Sequence, residues 1–449
     1  MGSILPPTTT PPTYKTPWTP TPLIESTTLS RAAGCRIFLK LENIQPSGSF
    51  KSRAMGNQIL SHLLKPENYH RPVHFYASSG GNAGLAAVCA ARSLGYPCTV
   101  VVPVSTKPLM VQKLRNAGAA DVIQYGETFS EAGQYMKDVI MKNNDESDDA
   151  DVDVVKIALH PFDNEPIWQG NSTIIDELVE QVPPPVGEEE EEVHAGRALP
   201  VDAIICSVGG GGLLNGLVMG IERHRAKAKI AADDGAGAAK PVHLVAVETK
   251  GTDSLATALE SNELVSLPKI TSQATSLGAI KVSERTFQYA VQPPPGVKVH
   301  SAVFSDAEAA RGVLRLVDDE RLLVELACGV CVEAAVGGSS CTSGSSSSSS
   351  SKMVAAGQKR KRGMDVGYVC KDEGYGDDRL SAGENEDDGP VSSPSLSASA
   401  GGLQSKLKEL VPDLNADSRV VIIVCGGSNV TIDMAAEWRK MLAEGWASE

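Results

Sequence analysis

"VDAIICSVGGGGLLNGLVMG", Val201 to Gly220, is the stretch on which the fold turns. Its first part is a short apolar run of the length and composition of a buried strand. Its last part carries apolar residues at helical spacing, and four consecutive glycines stand between. Ordering that much glycine is costly in backbone entropy, and a tight turn needs only one or two. Four point to a backbone wrapped close around an anion, with N–H groups and the positive end of a helix dipole facing it. No Gly-Lys-Ser/Thr follows, so this is not a Walker loop, and it is not a GxGxxG at a first strand.

The same unit recurs along the chain. "VHFYASSGGNAGLAAVCAARSLG" runs from an apolar strand through small residues into an Ala-rich helix ended by Gly95. "RIFLKLE", "CTVVVP", "ADVIQYG", "DVVKIAL", "VHLVAVE" and "RVVIIVCGGSN" read as further strands, with helical patterns between most of them. Strand and helix in alternation predict an α/β architecture with a mostly parallel sheet.

With 449 residues, 41% of them apolar and 21% charged, the chain has an ordinary globular composition and length enough for two or three domains. No run approaches the 18 or so apolar residues of a membrane span. The Pro/Thr-rich start is not a secretory signal. Nine cysteines show no framework spacing, and the lone pair Cys328/Cys331 has no second pair to complete a zinc site. The expectation is a reduced, cytoplasmic protein. A net charge of −14 argues against a nucleic-acid surface. Four segments break the α/β pattern: Asn143 to Asp153, the run Glu188 to Glu192 within about 183–197, "AADDGAGAAK", and a long Ser-rich stretch over about 337–402 that holds "KRKR". They read as surface insertions, since none buries enough apolar surface to fold alone. "KRKR" reads as a solvated charge cluster ahead of a nuclear-import patch.

Two further loops carry chemistry. "PSGSFKSRAMGN" puts Lys51 behind a Gly-Ser turn at the mouth of a helix. "SSGGNAG", Ser78 to Gly84, is either plain turn and N-cap chemistry or a carboxylate site at a helix N-terminus. A lysine, a carboxylate loop and a phosphate cradle on one α/β scaffold suggest a pyridoxal phosphate enzyme.

The ordered set "SGSFKSR", "SSGGNAG", "GGGGLL" and "CGGSN" resembles the β-family, or fold type II, pyridoxal phosphate enzymes, and most of all the L-serine dehydratases among the serine/threonine dehydratases. "HPFD", "IWQGNSTI", "VAVETKGTDS", "TSLGAIKV" and "VELACG" agree. The resemblance implies a tryptophan-synthase-β-like fold with two open twisted sheets, and the cofactor in a cleft between a large and a small domain. The boundaries it implies are 1–43 for the tail and start of the large domain, 44–153 for the small domain, and 154–449 for the rest.

The resemblance also implies roles. Lys51 matches the lysine that bonds the cofactor aldehyde and moves the substrate Cα proton. Phe50 packs on one face of the ring, with Ser276 opposite. Asn82 meets the ring hydroxyl, and Ser79, Gly80 and Asn82 face the substrate. Gly209, Gly210, Gly211, Gly212 and Leu213 hold the phosphate, and Cys425 stands at the ring nitrogen. A monovalent cation, K⁺, is implied at Glu248, Thr252, Leu277 and Ala279; by itself, Glu248 also admits the lesser reading of a charge capping a strand end. A homodimer is implied. The activity implied is α,β-elimination of L-serine to pyruvate and ammonia, with L-threonine giving 2-oxobutyrate. Threonine dehydratases and serine racemases share the fold but usually read "SSGNHAQ", with serine at the Cys425 position. A cofactor-free interaction protein is the non-enzyme alternative, opposed by the intact Lys51, Asn82 and tetraglycine. Leu326 and Asn171 depart from the family's proline and histidine.

Overall fold

The computed structural model of the chain describes residues 10–142, 153–183, 199–231, 240–338 and 405–446, with the side chains of 228–231 left aside. The acidic, glutamate-run and Ser-rich segments, with "KRKR", lie almost wholly outside these residues. The described residues belong to one unit, Met1–Ser339 with Gln404–Glu449.

Apolar runs become strands where both faces are covered. β4 (Cys98–Val102) and β8 (Val242–Thr249) are buried at every position. Such unbroken burial belongs to parallel sheets clad with helices on both sides, and the sequence shows it as continuous rather than alternating apolar text. Six strands form the larger sheet: β1 (Leu23–Glu25), β2 (Arg36–Lys40), β7 (Ala203–Ser207), β8, β9 (Val297–Phe304) and β10 (Arg419–Ile423). Their order is β1-β2-β10-β7-β8-β9, parallel throughout except for β1. β3 (Val73–Ala77), β4, β5 (Asp121–Gln124) and β6 (Val155–Ala158) form a second, parallel sheet in the order β5-β4-β3-β6. Because β6 pairs with β3, the smaller sheet runs past the boundary expected at 153. β9 is not evident in the sequence: as an edge strand it is only partly covered, and Lys298, His300 and Ser301 interrupt its apolar text.

The late strand β10 enters between β2 and β7, with Ile423 opposite Lys40 and Ile422 opposite Ile205. Ligands of open α/β sheets gather at the carboxyl ends of strands. Here the ends of β2, β10 and β7 stand side by side, and each leads into one of the singled-out loops.

A buried ionic cluster fixes the helix Lys51–Leu63 against the larger sheet. The Arg53 guanidinium donates twice to Glu42, each at 2.8 Å, and again to Glu177. Lys40 of β2 donates to Glu177 and to the Thr21 carbonyl. Arg53, Glu42 and Lys40 are all fully buried. Charges so placed are tolerated because each meets opposite charge and hydrogen-bonding partners. Among the described residues, no helix is long and apolar enough to cross a membrane.

Candidate active site

Lys51 is the first residue of its helix, directly beyond the Gly-Ser turn. The backbone before it is pinned to the loop after β10: Phe50 N–H donates to the Cys425 carbonyl at 3.1 Å, and Gly427 N–H donates to the Gly48 carbonyl at 3.0 Å. The Lys51 amine donates to the Pro161 carbonyl at 2.9 Å and stands 5.2 Å from the centre of the Phe50 ring. Removal from water pulls the amine down to about 8, with Cys425 acting in the opposite direction. A fraction of the lysine is therefore neutral near pH 7, the form that acts as base or nucleophile.

The tetraglycine loop closes on the same segment from the other side. A Cβ on Gly210 would stand 2.2 Å from the Phe162 ring, and one on Gly212 would stand 2.5 Å from the Phe162 carbonyl oxygen. Gly211 has φ +90°, and a Cβ there would meet Thr286 Oγ1 at 1.9 Å. Thr286 donates to Asn215 Oδ1, and Asn215 donates to Ser283 Oγ, so the helix Gly212–Ala231 is tied to the turn that flanks the loop. Asn171, in place of the family's histidine, donates to the Gly212 carbonyl at 2.9 Å. The N–H groups of Gly209 to Leu213 meet no acceptor among the described residues. Five free donors at the start of a long helix form an anion cradle.

Asn82 begins the helix Asn82–Ser93 after β3. Its Oδ1 accepts from Ser428 N–H at 3.1 Å, and its Nδ2 donates to Glu325 at 3.1 Å. Ser79 Oγ accepts from Gly81 N–H, which shapes the loop ahead of Asn82. Cys425 is buried, with its Sγ 2.9 Å from Cys328 Sγ and 3.6 Å from Ser207 Oγ, all as free thiols and hydroxyl. Lys51, Phe50, Asn82 and Cys425 are thus joined through the "CGGSN" loop, and the glycines join through "HPFD". Ser276 is exposed and lines a cavity of about 20 Å³ together with Glu325 and Asn429. Among the described residues no hydrogen bond links it to Phe50.

The residues expected to hold a cation divide into two groups. The Leu277 backbone approaches Gly209, whose Cβ would stand 3.2 Å from Leu277 Cα, and the Leu277 carbonyl accepts from Ala279 N–H. Glu248 ends β8 and accepts from the N–H groups of Leu255 and Ala256 at 2.9 and 2.8 Å. Its burial nonetheless pushes the carboxyl up to about 8. Thr252 bonds within its own turn, to the Thr249 carbonyl.

Residues 14–349 match the family described as "Pyridoxal-phosphate dependent enzyme". The chain belongs to that family. It is 38% identical over 301 residues to the "Catabolic L-serine/threonine dehydratase" of Saccharomyces cerevisiae, covering 67% of this chain and 75% of the relative. It is 38% identical over 314 residues to the mouse (Mus musculus) "L-serine dehydratase/L-threonine deaminase", covering 70% and 81%. The solved structure of a fungal L-serine ammonia-lyase from Rhizomucor miehei superposes with a TM-score of 0.64 at 26% identity, covering 95% of this chain and 99% of that one. Maize serine racemase, 19% identical, shares the fold with a TM-score of 0.59 over 95% of this chain and 93% of that one. The two-sheet α/β architecture is that of the fold type II enzymes of this family.

The side chains present fit pyridoxal phosphate. The free N–H groups beside Phe162 suit its phosphate, and the enclosed amine of Lys51 suits its aldehyde. Sequence reasoning missed Glu325, Arg53 and the Thr286–Asn215–Ser283 brace. Only Glu325 leaves a signal: it is a lone carboxylate set directly before the wholly buried helix Leu326–Val336.

Proposed function

We propose that the chain is an L-serine dehydratase, an L-serine ammonia-lyase that forms pyruvate and ammonia and also takes L-threonine to 2-oxobutyrate. The observation that carries this is the convergence of Lys51 and the tetraglycine cradle on one segment, His160 to Asp163. The names of the relatives and the "SSGGNAG" and "CGGSN" text support the subtype.

Pyridoxal phosphate, when bound, supplies a conjugated ring that takes up the electron pair released at the substrate Cα. Gly209 to Leu213 would hold its phosphate, Phe50 and Ser276 its faces, Asn82 its hydroxyl, Cys425 its ring nitrogen and Lys51 its aldehyde carbon. Ser79 and Gly80 bind the substrate carboxylate at the N-terminus of the helix Asn82–Ser93. The Lys51 amine, freed when the substrate amine takes its place, removes the Cα proton and hands it to the β-hydroxyl, which leaves as water. Water then replaces the nitrogen of the resulting enamine, which gives the 2-oxo acid and ammonia. Cys425 offers the ring nitrogen a weak donor and no carboxylate charge, which favours prompt elimination over a long-lived carbanion. K⁺ at Glu248, Thr252, Leu277 and Ala279, a homodimer, a cytoplasmic location and a small lobe over about 44–158 complete the reading.

The test is the visible spectrum of the purified protein loaded with pyridoxal phosphate, before and after L-serine, with pyruvate assayed in the same cuvette. A band that responds to serine with release of pyruvate is expected. A band with D-serine as the product would move the reading to a racemase, and no band at all would end it.

A further inference from the structure

Glu325 is 5% exposed, and no lysine or arginine lies within ion-pairing distance among the described residues. An unpaired buried carboxylate is costly unless donors surround it. Here the Oε1 atom accepts two hydrogen bonds, from Asn429 N–H at 2.8 Å and from Asn82 Nδ2 at 3.1 Å. The backbone is cut to let the side chain pass: a Cβ on Gly427 would stand 2.2 Å from Glu325 Cγ. Glu325 therefore ties the loop after β10 to the first residue of the helix after β3, which belong to different sheets.

The contact decides which way the Asn82 amide faces. Carboxylate on one side and Ser428 N–H on the other admit only one orientation, with Nδ2 toward Glu325 and Oδ1 toward Ser428. One Nδ2 hydrogen is used by Glu325, and the second remains to donate. We propose that Glu325 is a positioning residue that locks the Asn82 amide as a donor toward the cofactor's ring oxygen. The inference rests on the proposed function and deepens it.

The test is the dissociation constant of pyridoxal phosphate for the apoprotein, titrated by absorbance in wild type, E325Q, E325D and the same changes in an N82A background. Glutamine keeps an acceptor at the Oε1 position, so E325Q binds within about twofold of wild type. Aspartate is one methylene too short, so E325D binds about tenfold more weakly, the worth of one lost hydrogen bond to a charged group. In the N82A background E325D adds less than about twofold, because its effect runs through Asn82. A merely structural role would weaken binding equally in both backgrounds, and that result overturns the inference. So does E325D binding like wild type, or E325Q losing more than about tenfold. If E325D does not fold, G427A pushes Glu325 aside from the opposite direction and carries the same comparison. A wild-type chain that takes up no pyridoxal phosphate overturns the function beneath; a wild type that binds beside an unaffected E325D overturns this inference alone.

Discussion

The Lys51 amine and the Phe162 ring are set by one short segment: the amine is held on the carbonyl of Pro161, and the ring fills the space a Cβ on Gly210 would need. "HPFD" is thus the spacer between the Lys51 amine and the tetraglycine loop. Its place after β6 brings the smaller sheet to the site of the larger one.

The amine's lowered affinity for protons gives a kinetic signature. Only the neutral amine attacks an aldehyde, so uptake of pyridoxal phosphate by the apoprotein should quicken from about pH 7 to 9 and level off above, following Lys51 at about 8. Stopped-flow absorbance measures this, and a rate that rises only toward the pH of an ordinary lysine would show that the amine is not desolvated. The linked stability has a definite sign. Between about pH 8 and 10.5 the unfolded lysine binds a proton that the folded one does not, so this group favours the fold increasingly as pH rises across that window.

Gly211 and Gly95 both have positive φ, but only one has a neighbour. Gly211→Ala drives a methyl into Thr286, while Gly95 has nothing within 4 Å. Both changes should cost about 1–3 kcal/mol of stability from backbone strain. Only G211A should also weaken pyridoxal phosphate binding, by at least about tenfold. Equal binding by the two variants, measured by equilibrium dialysis, would count against the cradle.

Glu248, raised from 4.5 to about 8, makes the apoprotein sensitive to alkali, and the proposed K⁺ site adds a test with cations. Between those values the folded chain keeps a proton that the unfolded chain releases, so the contribution of this group to stability falls as pH rises through the window. A K⁺ beside the carboxylate favours its ionised form. Melting temperatures in KCl against choline chloride should therefore differ more at pH 8.5 than at pH 6, and E248Q should erase that difference. An unchanged KCl effect in E248Q would remove Glu248 from the cation site.

Arg53→Met strands Glu42 without its guanidinium and leaves Glu177 to Lys40 alone. Urea unfolding should show a loss of about 3–5 kcal/mol, the cost of breaking a buried pair from one side. The double change R53M/E42M should recover part of it. A single change costing under about 1 kcal/mol would mean that the cluster does not anchor the Lys51 helix.

The strand–glycine–helix units and the parallel sheet are legible in the text, and the loops that hold Lys51 and Gly209 to Leu213 stand out by their own turn chemistry, whereas Asn82 and Cys425 are singled out only by the family resemblance. The edge strand Val297–Phe304, the membership of Val155–Ala158 in the smaller sheet, and Glu325 are not legible. An edge strand loses its apolar pattern to solvent, and a carboxylate set before a buried helix marks its position without telling which groups it meets.

The sequence by itself determined the local pieces: which runs become strands, where four glycines leave donors unmet, and which helix begins on a lysine. Tertiary structure alone decided that they meet. β10 comes from the end of the chain yet pairs with β2 on one side and β7 on the other. That pairing sets Cys425 beside Phe50, Ser428 beside Asn82 and Glu325 across Gly427. Local periodicity specifies a strand's faces; its neighbours are chosen by burial and backbone pairing across hundreds of residues, which no single stretch contains.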